Sequence, residues 1–259
     1  MIRAAVKIAY LGEHFSGSQL QPGFRTVAGD ILSDIGTIMN MSEEDIDLKL
    51  ASRTDRGVNA LGNVAAFNSI IDDPAILLKA LNAVSKGIFY RSIALVGKDF
   101  NPRFADVRRY RYALPRGGMD IPSMKKCAEL FVGEHDFSRF CRSDGRPTTL
   151  VMDSVDITEE DDIIFIDFSA RYYLWNIIRR IAAAVAAVGR GTAAVNDVRD
   201  ALDGKEINFG IARPDALTLV DVFYKGMEFS VPSADVLSGR VGEELFREKL
   251  RTVFFDSIM

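Results

Sequence analysis

From Ile181 to Gly189 the chain reads Ile-Ala-Ala-Ala-Val-Ala-Ala-Val-Gly, nine residues without a charged or polar side chain. Leu174, Ile177, Ile178, Ile181, Val185 and Val188 recur at helical spacing, which predicts a helix from about Leu174 to Val188. A surface helix is polar on its outer face, whereas here that face carries Ala183, Ala186 and Ala187. Such a helix must be covered on several sides, either inside one layered domain or against a second copy of the chain. Its charges are Arg179 and Arg180. Either both reach solvent along their aliphatic stems, or a guanidinium held at a covered site calls for a carboxylate, because leaving a buried charge unpaired costs roughly 3–5 kcal/mol.

The layers come from strands in both halves of the chain. Residues 3–10 read as a strand, then a Gly-rich loop leads to Thr26, a helix N-cap ahead of Val27, Ile31, Ile35, Ile38 and Met39. Strands at 48–52 and 63–68, a helix from Ala75 to Lys86 and a strand at 88–96 complete the first half. The polar stretch 98–106, with Asn101-Pro102, is the expected junction, dividing residues 1–104 from residues 105–259. The second half starts again with a strand at 108–114, a helix ending near Gly133, and strands at 150–157 and 163–170 around an acidic hairpin tip, Glu159–Asp162. After the apolar helix come a short one near 196–203 and a last strand at 217–224. Both halves therefore read as antiparallel sheet with helices on one face, an α+β class.

Composition narrows the chemistry. Histidine-based catalysis has only His14 and His135 to draw on, and a zinc site would have to combine these with Cys127 and Cys141, whose spacings match no common ligand pattern. Two cysteines in 259 residues do not make a disulfide scaffold, and a reducing cytoplasm is the expected compartment. The N-terminal residues lack a secretory apolar core, and no apolar run approaches the ~18 residues that suggest a membrane span. The net charge of −4 hides an asymmetry. Residues 101–146 hold ten Lys/Arg against six Asp/Glu, leaving 22 against 30 elsewhere; residues 171–190 hold four arginines and no acid. Two basic zones inside an acidic chain suit a polyanionic partner, and equally fit chance charge scatter on solvated faces.

Two segments bring candidate chemistry. In Ser52-Arg-Thr-Asp-Arg-Gly-Val58, Asp55 stands between Arg53 and Arg56, where it serves either as a plain turn former or as an ionised nucleophile. It is also the best carboxylate partner for Arg179. In Arg108-Arg-Tyr-Arg-Tyr112, strand periodicity places Tyr110 and Tyr112 on one face and Arg109 and Arg111 on the other. That pattern fits a half-buried sheet, and equally a base-stacking face with phosphate contacts nearby.

Taken in order, Phe15-Ser-Gly-Ser-Gln-Leu-Gln21, Thr26-Val27, Ser52-Arg-Thr-Asp-Arg-Gly-Val-Asn-Ala-Leu-Gly62, Arg103-Phe104, Arg109-Tyr-Arg-Tyr112, Gly133-Glu-His-Asp-Phe137, Ile178-Arg179 and Leu217-Thr-Leu219 resemble the motifs of TruA-type tRNA pseudouridine synthases. The resemblance spans about residues 3–225, and the Gly-Ser-Gln-x-Gln-Pro-Gly loop is similar to the archaeal branch. Two positions depart from it: Asn59 stands where many members carry His, and Ser18 where a Trp is common.

The resemblance implies a pseudouridine synthase fold, two ferredoxin-like halves joined in one mainly antiparallel sheet with a central cleft. It implies isomerisation of uridine in the anticodon stem-loop of tRNA, at tRNA positions thirty-eight to forty, with neither cofactor nor metal. Asp55 is then the catalytic carboxylate, Tyr110 stacks on the base, Arg53 opens the stem or holds phosphate, and Arg179 pairs with Asp55. Leu219 is expected in the core or beneath the uracil. A homodimer sharing one tRNA is also implied. Two rivals remain from the residues alone. One is a non-catalytic RRM-like RNA-binding module, which leaves the Asp55 segment without a role; the other is a glycoside hydrolase, which needs a second carboxylate.

Overall fold

Nine strands form a single sheet in the computed structural model, which describes residues 1–231 and 235–258. In chain order the elements are β1 (Ile2–Tyr10), α1 (Val27–Met39), α2 (Glu43–Ile46), β2 (Lys49–Leu50), β3 (Asn59–Ser69), α3 (Pro74–Val84), β4 (Phe89–Val96), β5 (Val107–Pro115), α4 (Ile121–Glu129), β6 (Gly133–Asp136), β7 (Thr149–Glu160), β8 (Ile163–Ala170), α5 (Ile177–Gly189), α6 (Val195–Leu202), β9 (Leu217–Phe223) and α7 (Asp235–Asp256). The sheet runs β4-β1-β3-β9-β5-β8-β7-β6, with β2 pairing onto β3. Every pairing is antiparallel except β3 with β9. It is a mainly antiparallel sheet in an α+β arrangement, as the resemblance implies.

Local chemistry sets the helix starts. The Thr26 hydroxyl accepts from the Gly29 amide at 3.2 Å and opens α1. Asp73 accepts from the Ala75 and Ile76 amides at 2.8 and 3.0 Å, with Pro74 at the first helical position of α3. All of α5 except Arg179 and Arg180 is buried within the one chain, so its apolar girth needs no second copy to cover it.

Several boundaries differ from the sequence expectation. Helix α5 begins at Ile177, because Asn176 takes a left-handed conformation (φ 65°) and Leu174–Asn176 form a turn. Strand β3 starts at Asn59 rather than residue 63, and β2 shrinks to two residues. Helix α4 ends at Glu129. Strand β7 runs on through Glu159 and Glu160, leaving Asp161 (φ 51°) in the hairpin turn. Strand β6 and helices α2 and α7 have no counterpart in the sequence reading. None of the helices among the described residues is long and apolar enough to cross a membrane.

The β3–β9 join positions everything that follows. Ala60 pairs with Leu219, Leu219 with Tyr110 and Tyr110 with Phe168, so one line across the sheet links the start of β3 to the tyrosine strand. The segment just before β3, which contains Asp55, is thereby brought beside Tyr110.

Candidate active site

The loop from Ala51 to Val58 is braced from all sides by backbone and amide groups. Asn63, fully buried, accepts from the Ser52 and Val64 amides at 3.2 and 2.9 Å and donates to the Ser52 carbonyl at 3.0 Å and the Tyr10 hydroxyl at 3.3 Å. The Thr54 amide donates to Ser18 Oγ at 2.8 Å, the Ser18 amide donates back to the Thr54 carbonyl at 3.0 Å, and the Tyr10 and Thr54 hydroxyls lie 2.8 Å apart. The chain then turns from Asp55 to Val58, closed by the Val58 amide on the Asp55 carbonyl at 3.1 Å. Gly57 supplies the positive φ of 84° this turn needs. Gly12 packs so closely that a Cβ there would lie 2.4 Å from the Gly57 carbonyl carbon and the Val58 oxygen. Asn59 accepts from the Gly12 amide at 2.8 Å and donates to the Asp215 carbonyl at 2.8 Å. Both departures from the family pattern, Ser18 and Asn59, thus hold this loop in place.

Above the loop lies a cleft of about 720 Å³, the size of a small-molecule or nucleotide site. Asp55, Arg53, Tyr110 and Arg179 all line it. The Asp55 side chain is 45% exposed and its Oδ2 stands 3.7 Å from Arg179 Nη1. That is a loose ion pair; the firmer bond of Arg179 runs from Nε to the Ala212 carbonyl at 2.8 Å. Gln19, with its amide oxygen toward Arg53, accepts from Nε at 3.1 Å and Nη2 at 3.3 Å. Tyr110 is buried edge-on against Tyr173, with ring centroids 5.0 Å apart. Burial pushes the Tyr110 phenol well above its ordinary value, with smaller upward pushes from Tyr10 and Asp55, so it stays neutral.

The geometry changes which arginines belong to the site. Arg109 and Arg111 lie on the far face of the sheet, Arg109 over Phe223 at 4.8 Å and Arg111 bonded to Asp167 at 2.7 and 2.9 Å. The cleft is walled instead by Arg53, Arg56, Arg103, Arg108, Arg146 and Arg179, against the carboxylates of Asp55 and Asp144. Asp144 is already bonded to Arg146, leaving Asp55 as the carboxylate open to a substrate. Arg108 escaped the sequence reading. Buried beside Tyr110, it donates to Ser52 Oγ at 3.0 Å, to the Ala51 and Arg103 carbonyls at 3.1 and 2.8 Å, and to the Arg171 carbonyl. Burial draws its pKa down from the usual arginine value, yet a guanidinium so bonded keeps its charge. The signal was available: strand periodicity places residue 108 on the same face as 110 and 112.

Leu219 is fully buried in the core, whereas Leu217 lines the cleft. Tyr172 and Trp175, also unanticipated, form part of its wall. His135 sits 3.0 Å from the Val132 carbonyl and edge-on to Phe137, a structural placement, and His14 is on an exposed turn. Cys127 and Cys141 are free and buried, the Cys127 thiol being pushed up to about 12 by burial. Among the described residues there is no cluster of three or more His, Cys, Asp or Glu that could hold a metal.

An Arg179→Ala change is expected to lower activity at least tenfold, against less than threefold for Arg180→Ala, because only Arg179 touches both Asp55 and the 212 loop. Steady-state rates of the two variants check this. Equal, mild effects would remove the pairing from the account.

A family model for tRNA pseudouridine synthases matches residues 127–225. The tRNA pseudouridine synthase A of Pyrococcus abyssi is 39% identical over 254 residues, covering 96% of this chain and 95% of that protein. Its counterpart in Pyrococcus horikoshii is 38% identical over 261 residues, covering 98% and 97%, and that of Methanobrevibacter smithii is 31% identical, covering 88% and 86%. Among solved structures, a Cbf5-Nop10-Gar1 complex matches 71% of this chain and 45% of that chain at 14% identity and a TM-score of 0.35, too remote to carry any argument. With close relatives aligned along nearly its whole length, the chain belongs to the tRNA pseudouridine synthase A family of isomerases.

Proposed function

We propose that the chain converts uridine to pseudouridine in the anticodon stem-loop of tRNA, at tRNA positions thirty-eight to forty, in the cytoplasm and without a cofactor. Asp55 is the catalytic carboxylate, and Tyr110, Arg53 and Arg179 hold the substrate. The observation that carries this reading is the convergence of Asp55, Arg179 and Tyr110 on one cationic cleft, from three segments far apart in sequence. Residues 1–104 supply the Asp55 wall and residues 105–259 the Tyr110 and Arg179 wall.

A uridine in a stem must leave the stack before its glycosidic bond is reachable, at a cost of a few kcal/mol. Cleft arginines such as Arg53, Arg56 and Arg146 meet the phosphates on either side, an electrostatic contribution that weakens with salt. Asp55 then acts on the glycosidic bond, by attack at C1′ or by assisting uracil departure. The N1–C1′ bond breaks, the freed ring turns, C5 bonds to C1′ and displaces the carboxylate if it had attacked there, and the proton lost from C5 is matched by one gained at N1, so that atoms balance without a redox partner or net consumption of water. A neutral Tyr110 packs against the ring and relays that proton only by releasing its own. The loose contact with Arg179 steadies the carboxylate without sequestering it behind two short bonds. Mapping pseudouridine in tRNA from cells lacking the protein tests the assignment: loss at positions thirty-eight to forty is expected, and their retention would refute it.

A homodimer belongs to this reading. What supports it is α7, whose Glu244, Arg247, Glu248 and Arg251 face the groove toward α1, while Leu245, Phe246, Leu250, Val253 and Phe254 are each more than half exposed. Light scattering is expected to give twice the 28.7 kDa chain mass, and one chain mass for a Phe246→Glu/Leu250→Glu double variant. A wild-type monomer would contradict it.

A further inference from the structure

Trp175 is the chain's one tryptophan, and it is placed where packing alone does not require it. Its neighbours Leu174 and Ile177 are 6% and 1% exposed, anchoring the turn before α5, whereas Trp175 itself is 41% exposed and lines the cleft. Asn176, left-handed at φ 65°, separates Trp175 from the first residue of α5. Leaving that much apolar surface in water forgoes burial worth about 25 cal/mol per Å². The ring is nevertheless held firmly. The Arg142 guanidinium stacks on it at 4.1 Å from the centroid, and the Arg142 amide donates to the Trp175 carbonyl at 2.8 Å.

A fixed indole with one face occupied by a cation and the cleft beside it is a stacking surface. The target base itself has another place. The reacting ring packs against Tyr110 and Leu217, which line the same cleft as Asp55 and are both under a tenth exposed. Trp175, far more exposed, is at the rim, together with Arg146 and the half-exposed Tyr172.

We infer that Trp175 is the platform on which a nucleobase flanking the target uridine stacks, through the indole face opposite Arg142. This rests on the reading that the cleft binds RNA, and it adds a contact outside the reacting nucleotide. It makes the enzyme sensitive to an unstacked neighbour as well as to the flipped uridine.

The single tryptophan permits a direct test. Intrinsic fluorescence is followed as the wild type is titrated with anticodon stem-loop RNA, and binding is measured separately by anisotropy of a labelled stem-loop. The same RNA is then used with an abasic residue at the target, or at each adjacent position in turn. Strong quenching is expected with intact RNA and with the abasic target, and its loss is expected with one abasic neighbour. Trp175→Ala is expected to raise KM about ten- to a hundredfold with kcat changed less than about threefold, and Trp175→Phe to recover most of that. Binding without quenching, or quenching lost only with the abasic target, would overturn the inference while leaving the isomerase reading intact. Absence of binding by anisotropy would overturn both.

Discussion

Asp55→Asn is expected to lower pseudouridine formation by roughly four orders of magnitude while stem-loop binding holds within a few fold. The change is nearly isosteric, and the loop is fixed by groups it does not touch: the two Ser18–Thr54 bonds, one to the Ser18 hydroxyl and one between backbones, the Val58 amide on the Asp55 carbonyl, and Asn59. Its side chain loses the negative charge needed to act on the glycosidic bond and keeps the shape. Because the cleft walls are cationic, removing that charge if anything strengthens attraction to phosphate. Single-turnover product formation and filter binding separate the two effects. Activity within tenfold of wild type would mean that another group does the chemistry, and parallel losses of binding and rate would mean that Asp55 is architectural.

The second large effect is expected at Asn63, which contacts no substrate. Truncation to Ala leaves the Ser52 amide and carbonyl, both inside the protein, without partners. Each such group costs about 1–3 kcal/mol, so a loss of about 3 kcal/mol in unfolding free energy is expected from urea denaturation. The activity of the protein that remains folded should also fall, since Ser52 accepts from Arg108, which is buried beside Tyr110. Asn63→Asp should be no milder, because it keeps the acceptors, loses the donors and buries a charge. A change in stability under about 0.5 kcal/mol would show the Asn63 network to be dispensable.

What the sequence makes legible is local. The Thr26 cap, the Pro74 start and the charge-free girth of 181–189 each follow from neighbours within a turn or two. Sheet order does not. The parallel step between β3 and β9 joins residues about Asn59 to residues about Thr218, and no spacing within either strand encodes that partner. Helix α7 was unreadable because its apolar residues face outward, and β6 because Gly-Glu-His-Asp has no apolar alternation. At the cleft, Asp55, Tyr110, Arg53 and Arg179 were legible through motif and charge. The braces were not: Asn63 and Ser18 act through long-range backbone bonds, and Trp175 was absorbed into a helix that in fact starts two residues later. Arg108 is the instructive miss, since an arginine on the buried face of a strand already signals a bonded, site-forming charge.

The most direct test of the account is tritium release from tRNA carrying C5-tritiated uridine, incubated with purified protein in EDTA. Isomerisation must detach the C5 proton, so release is expected to match newly formed pseudouridine one for one, to continue unchanged in chelator, and to vanish with Asp55→Asn. Tight tRNA binding with no release above background would contradict the account and leave a binding module in its place.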